Sequence, residues 1–292
     1  MATLPHQPTV RTLLQWAGDI FEQSGVPSPT ADARQLLQHV TSCSAAQLLL
    51  REQLTKDEVH AFQDAVVRRS SREPLQYIIG TAPFLDFEVE VGPGVFIPRP
   101  ETEQLADWVM RSDKVTQPAV IMDVCAGSGV LAIALARHFD TAQVVAVEKS
   151  TEALTYLRRN VEQLAPQVQT IHADATESLI ASGHIAPNSV DLLVSNPPYV
   201  PCGNLADRKV DLETAHYDPP QAVFSGDIGT DFTQQFSTHL GSYLADGALV
   251  AMEHDDTTGA ETAEILEAAG LHHVEQHQDL AGRPRFVTGI WN

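Results

Sequence analysis

Asn196, Pro197, Pro198 and Tyr199 form a tetrapeptide suited to holding a small planar group that carries an NH2. An asparagine carboxamide both accepts and donates hydrogen bonds. The two prolines offer carbonyls with little competition from neighbouring N–H groups, and Tyr199 supplies a flat face. A carboxamide or the exocyclic amine of a base fits such a site. The preceding run, Val190-Asp191-Leu192-Leu193-Val194-Ser195, reads as a buried strand. The prolines stop that strand and stiffen its exit, because neither can donate a backbone hydrogen bond. Asn196 is therefore expected at the carboxyl end of a strand, where open α/β sheets place their ligands. Taken alone, the four residues are equally compatible with an ordinary proline-rich turn.

A second constellation lies upstream. Ala119 to Val124 is another short apolar run, followed by Cys125-Ala126-Gly127-Ser128-Gly129 and by a helix-like stretch from Val130 to His138. Strand, glycine-rich turn and helix together let a ligand approach the backbone and meet the amides of a helix N-terminus. Val144 to Glu148 then supplies a second strand ending in a carboxylate, about 20 residues beyond the glycines, a spacing that suits the ribose hydroxyls of a nucleotide-type cofactor. Leu131 and Ala132 follow Val130, so the third glycine of a dinucleotide fingerprint is missing. There is no Gly-Lys-Ser/Thr phosphate loop either. S-adenosyl-L-methionine fits these residues better than NAD or ATP. The alternatives are a solvated Glu148 at a strand end and an Asp123 that merely caps the turn.

With these residues in view, the chain resembles the class I S-adenosylmethionine-dependent methyltransferases. More narrowly, it resembles the protein N5-glutamine methyltransferases that modify peptide chain release factors. Glu73-Pro74-Leu75-Gln76-Tyr77-Ile78-Ile79-Gly80, Phe96-Ile97-Pro98-Arg99-Pro100-Glu101-Thr102-Glu103, Asn196 to Tyr199, Asp279 to Arg283 and Arg285 to Gly289 carry the resemblance. The Asn-Pro-Pro-Tyr segment is shared with DNA and RNA amino-methyltransferases; the Ile-Pro-Arg-Pro-Glu-Thr-Glu segment is much more specific. The resemblance implies methyl transfer to the side-chain amide of a glutamine in a Gly-Gly-Gln loop. It implies catalytic and substrate-binding roles for Asn196, Pro197, Pro198 and Tyr199, and a place near the substrate for Arg99 and Glu101. For the last two, a structural ion pair or a helix-start role is the alternative. Cofactor contacts are implied for Asp123, Cys125, Ala126, Gly127, Ser128, Gly129, Glu148, Asp174, Ala175 and Asn196. The chain departs from the family in three places. Cys125 stands where glycine is usual, Glu148 where aspartate is usual, and Asp174-Ala175 where many relatives have an aromatic near the adenine.

Around these residues the chain organises into three parts. Residues 1–72 read as a helical, substrate-docking bundle, with Leu13, Leu14, Ala17 and Phe21 at helical spacing and Thr30 as the cap of a following helix. Residues 73–100 read as a β-hairpin linker, from the partial alternation of Phe84 to Val91 and the turn at Gly92-Pro93-Gly94. Residues 101–292 alternate helices with strands near 119–125, 144–148, 168–172, 191–195 and 247–253, which indicates a parallel α/β sheet covered on both faces. Two terminal strands are expected near 272–278 and 284–290, and the resemblance implies that the last is antiparallel. With this alternation, the resemblance implies a Rossmann-like class I methyltransferase sheet behind a small helical bundle and a hairpin.

Composition narrows the function further. The net charge of −20 argues against DNA or naked RNA as substrate, because nucleic-acid binders need a basic footprint. Arg68, Arg69 and Arg72 make the only dense basic group. Cys43, Cys125 and Cys202 lack paired spacing and read as reduced thiols. The histidines show no metal-ligand pattern, so no metal is expected. No apolar run approaches the roughly 18 residues that cross a bilayer, and the polar start from Met1 to Thr9 carries no signal sequence. These features lead to a cytoplasmic protein acting on a protein partner; a monomer is expected, and the resemblance implies peptide chain release factors as that partner. Two rivals remain: a nucleic-acid amino-methyltransferase, and a catalytically silent module that keeps the fold.

Overall fold

Helical periodicity dominates the first 80 residues, and the computed structural model, which describes residues 4–205 and 212–292, turns it into α1 (Val10–Gln23), α2 (Pro29–Thr41), α3 (Ala45–Leu50), α4 (Lys56–Ser70) and α5 (Leu75–Ile79). Leu13, Ala17, Phe21, Leu36, Leu37 and Phe62 form its dry core. Thr9, Ser44 and Thr55 each close a capping box, satisfying N–H groups that the first turn leaves without partners. The expected Thr30 cap is displaced: α2 begins at Pro29 behind Ser28, because proline's fixed φ suits the first helical position. The arginine group is committed within this unit. Arg68 Nε donates to Glu73 at 2.9 Å, the buried Arg69 pairs with Asp32 at 2.8 Å, and Arg72 reaches the Gly25 carbonyl at 2.8 Å.

The chain divides into two units, Met1–Thr81 and Ala82–Asn292. A hairpin of β1 (Thr81–Phe84) and β2 (Phe87–Glu90) starts at that division. The second unit continues with α6 (Pro100–Arg111), β3 (Val120–Val124), α7 (Val130–His138), β4 (Gln143–Glu148), α8 (Thr151–Leu164), β5 (Gln169–His172) and β6 (Val190–Ser195). Short helices α9 (Leu212–Tyr217), α10 (Pro220–Val223), α11 (Asp231–Ser237) and α12 (Leu240–Tyr243) lead into β7 (Leu244–Glu253), α13 (Gly259–Ala268), β8 (Leu271–Gln278) and β9 (Pro284–Trp291). Residues 206–211, within the long stretch that follows the Asn-Pro-Pro-Tyr segment, lie outside the described residues, as do residues 1–3 of the polar start. Among the described residues no helix is long and apolar enough to cross a membrane.

The seven-stranded sheet has the order β5-β4-β3-β6-β7-β9-β8. The first five of these strands are parallel, and β9 runs antiparallel to β7, as the sequence leads one to expect. Leu192, Leu193 and Val194 are fully buried, each stabilising the fold by about 1.5–3 kcal/mol. α7 is buried from Val130 to Ala136 and packs against β3 and β4. β7 starts at Leu244, earlier than its apolar run predicts. Its register with β6 shifts between the Val190 and Leu192 pairings, the stretch of β7 in which Gly247 holds φ 79°.

Candidate active site

Two chain segments leave adjacent parallel strands at the same edge of this sheet. The glycine turn leaves β3 and Asn196 leaves β6, with Val124 paired to Ser195 immediately before both exits. From β3 the chain moves outward to β4 and β5, whereas β6 leads to β7 on the other side. That reversal is the topological switch point at which open sheets leave a crevice.

A cavity of about 460 Å³ fills the crevice. Its wall includes Asp123, the turn from Cys125 to Ser128, Glu148, Asp174, Ala175, Asn196 and Pro198. Gly129 is not on that wall. Its φ of 91° caps α7, and a Cβ there would meet Leu157 at 2.6 Å, so this glycine serves close packing. Cys125 holds φ 61°, a conformation that costs a side-chain-bearing residue roughly 1–2 kcal/mol, and so keeps a turn that glycine would make freely. Burial, followed by the carboxylates of Glu148, Asp123 and Asp174, raises the thiol's pKa, which leaves it a poor nucleophile.

The acidic groups are arranged for a ligand that donates hydrogen bonds. Glu148 accepts from the Gly127 N–H at 2.8 Å and the Ser150 N–H at 2.7 Å, using one lone pair on each oxygen. Asp123 accepts from the Ala132 N–H at 2.9 Å through one oxygen, while its other, buried oxygen has no partner. Asp174 binds Lys149 at 2.6 Å and the Thr176 N–H at 2.9 Å. Burial opposes its ionisation, but these bonds prevail and hold its carboxyl below the usual range. Lys149, so engaged, is the basic side chain on the wall among the described residues. An apolar cavity with an orphaned Asp123 carboxyl oxygen and no free cation among the described residues fits an amine and sugar hydroxyls. It does not fit a phosphate chain.

On the other side of Asn196 lies a second cavity of about 390 Å³, whose wall includes Arg99, Glu101, Asn196, Pro197 and Tyr199. Arg99 donates to Thr214 at 2.9 Å and Asp218 at 2.6 Å, and its guanidinium lies over the Phe96 ring. Glu101 pairs with Arg283 at 3.2 Å. Both side chains therefore make structural ion pairs and line the second cavity. Glu213, His216 and Tyr217 fall on or at the end of α9, where His216 bonds the Leu212 carbonyl.

Sequence reasoning gave no role to three buried residues that support this edge. Thr102 accepts a hydrogen bond from the Asn196 amide at 2.9 Å. Asp218 anchors Arg99. Glu253 ends β7 with one oxygen unpartnered. The available signals were Thr102's place in the Ile-Pro-Arg-Pro-Glu-Thr-Glu segment and the acid terminating an apolar strand at Glu253.

Burial pushes the Asp123 and Glu253 carboxyls up to about 8, with the neighbouring charges of Glu148 and Glu101 adding to the effect. A folded-state value above the unfolded one means each contribution is fully present below about pH 4. It is then lost as pH rises toward the folded value. The ligand-free protein should melt at lower temperature at about pH 8.5 than at about pH 6, with each group contributing a slope of up to about 1.4 kcal/mol per pH unit. Asp123→Asn should flatten that dependence in calorimetric melts. An unchanged slope would contradict the buried, protonated carboxyl.

Comparison with known proteins accounts for both units. Residues 12–80 match the PrmC N-terminal domain and residues 102–211 the Methyltransferase small domain. Release factor glutamine methyltransferase of Corynebacterium glutamicum is 42% identical over 284 residues, 96% of this chain and 98% of that protein. The protein of the same name from Mycobacterium leprae is 41% identical over 269 residues, 92% of each. Among solved structures, the T. thermophilus 16S rRNA N2 G1207 methyltransferase in complex with AdoMet and guanosine superposes with a TM-score of 0.51 at 21% identity. That match spans 73% of this chain and 50% of that one, and supports the fold alone. With near-full-length identity at this level, the chain belongs to the release factor glutamine methyltransferase family.

Proposed function

We propose that this protein methylates the side-chain amide nitrogen of a glutamine in the Gly-Gly-Gln loop of peptide chain release factors, with Asn196 and the Pro197 carbonyl orienting that nitrogen. The observation that carries this reading is that Asn196 lies on the wall of both cavities, between the glycine-turn crevice and the Arg99–Tyr199 side. When bound, S-adenosyl-L-methionine supplies an electrophilic methyl group on sulfur. An amide nitrogen is a poor nucleophile, because its lone pair is delocalised into the carbonyl. Accepting both amide hydrogens fixes the nitrogen in place and favours the positive charge that develops on it. Pro198 and Tyr199 pack on the amide plane. On the cofactor side, the free oxygen of Asp123 suits the amino group, Glu148 the ribose hydroxyls, and Asp174 with Ala175 the neighbourhood of the base. Cys125 to Gly129 supply the turn.

Residues 1–72 act in this reading as the docking part, residues 73–100 as the linker and residues 101–292 as the transferase. A variant lacking residues 1–72 should keep cofactor affinity in calorimetry but methylate full-length factor more slowly. Equal rates would remove the docking role. Release-factor substrates call for the compartment of translation, the cytoplasm, and one copy of the chain carries every residue invoked. A nucleic-acid substrate is disfavoured by the net charge of −20 and by the paired state of Arg68, Arg69 and Arg72. Radiolabelled methyl transfer offered to release factor, to the same factor with its loop glutamine replaced, and to RNA tests the reading. Label is expected on the first alone; label on RNA would overturn it.

A further inference from the structure

The two glycines of a Gly-Gly-Gln loop have no side chains to read, so its main chain must carry part of any contact. Main-chain carbonyls accept hydrogen bonds, and a guanidinium offers only donors, in a planar fork. The wall of the second cavity includes three arginines, Arg99, Arg283 and Arg285. Two of them are already committed. Arg99 donates to Thr214 and Asp218, and Arg283 is shared between Asp279 and Glu101. Arg285 is different. Its Nε donates to Asp279 at 3.2 Å, but its two Nη groups have no hydrogen-bond partner among the described residues, although the side chain is only 15% exposed.

Sheet register brings this side chain to the substrate side. β9 runs antiparallel to β7, so it begins at the edge where β6 and β7 end. Ser195 pairs with Met252, Glu253 pairs with Phe286, and the Arg285 carbonyl accepts from the His254 N–H at 2.9 Å. Arg285 thus stands two strands from Asn196 on a shared cavity wall. Asp279 is itself held by the Ala281 and Arg283 N–H groups at 2.8 and 2.9 Å. The Nε edge of Arg285 is therefore anchored, and the Nη edge remains for a ligand.

The glutamine side-chain oxygen is the wrong acceptor for it. A cation there would draw the nitrogen lone pair further into the carbonyl and oppose the positive charge that develops on nitrogen. A main-chain carbonyl beside the glutamine takes the same donors without touching the reacting group. We propose that Arg285 binds main-chain carbonyl oxygen of the substrate's glycines through its Nη groups. This inference rests on the reading above, in which the second cavity receives the Gly-Gly-Gln loop.

Arg285→Met removes the donors and leaves Asp279 its pairing with Arg283. With full-length release factor it should raise KM roughly 10- to 150-fold, the range for hydrogen bonds to a charged group. The single-turnover rate at saturating factor and the cofactor affinity should stay near those of the parent, because the lost contact serves ground and transition states alike. Arg285→Lys keeps the charge without the planar fork; it should show a smaller rise, and takes the methionine variant's place if that one folds poorly. A structural role alone would not respond to the substrate's own carbonyls. Release factor assembled by peptide ligation, with either glycine carbonyl replaced by a thioamide, presents a weaker acceptor at one position. The parent should lose affinity for one of the two replacements, and the Arg285 variant should lose little more, because the two changes remove one contact. A parental KM in the variant, a parent indifferent to both replacements, or full multiplication of the losses would overturn the inference. Absence of label on the loop glutamine with the parent enzyme would instead overturn the reading beneath it, so the two failures are distinguishable.

Discussion

Asn196→Ala should lower the single-turnover rate of methyl transfer on the order of 10²–10³, by analogy with removal of one hydrogen-bonding group that serves a developing charge. The Asn196 oxygen is expected to matter most as the substrate nitrogen becomes positive, so the loss should fall on turnover rather than on cofactor affinity. The structure sharpens this division. Asn196 shares a wall with the cofactor cavity, but its side chain donates a hydrogen bond to Thr102, and the glycine turn is held by Glu148 instead. Losing the carboxamide therefore leaves the turn intact. Pre-steady-state methylation of a glutamine-containing peptide, with calorimetry on the same variant, separates the two effects. Wild-type rates in the alanine variant would falsify the mechanism.

Glu148→Ala should weaken cofactor binding by about 1.5–3 kcal/mol, the range for hydrogen bonds to a charged group. That corresponds to roughly 10- to 150-fold in Kd. Two contributions combine here. The carboxylate holds the Gly127 and Ser150 N–H groups, at the glycine turn and ahead of α8, and it keeps lone pairs for ligand hydroxyls. Glu148→Asp keeps the charge on a side chain one methylene shorter. It should bind the cofactor with intermediate affinity, because one carboxylate can no longer reach both backbone groups and the ligand as well. If calorimetry gives the alanine variant the parental affinity, Glu148 is a scaffold residue only.

Much of the architecture could be read from local pattern. The apolar runs ending at Val124, Glu148 and Ser195 are strands whose carboxyl ends do meet at one crevice. That worked because both faces of the central sheet are covered, so its strands read as continuous apolar segments. Element ends were less legible where one residue type has two uses. Thr30 looks like a cap but follows Pro29, and Gly247 looks like a strand boundary but sits inside β7 at a register shift. The pairings within the supporting network were not legible. Asn196 and Thr102 are 94 residues apart in the chain, and Arg99 and Asp218 are 119 apart. Such pairs follow from strand order and register, which no local pattern states. Gly129 illustrates the converse: its type pointed to the ligand, while its surroundings assign it to packing against Leu157.

The most direct test is a crystal structure of this protein with the demethylated cofactor product and a peptide containing Gly-Gly-Gln. The glutamine side chain should enter beside Tyr199, with its amide nitrogen about 2.7–3.2 Å from both the Asn196 side-chain oxygen and the Pro197 carbonyl. A glutamine bound with its carbonyl oxygen toward Asn196, or seated away from the wall between the two cavities, would contradict the account.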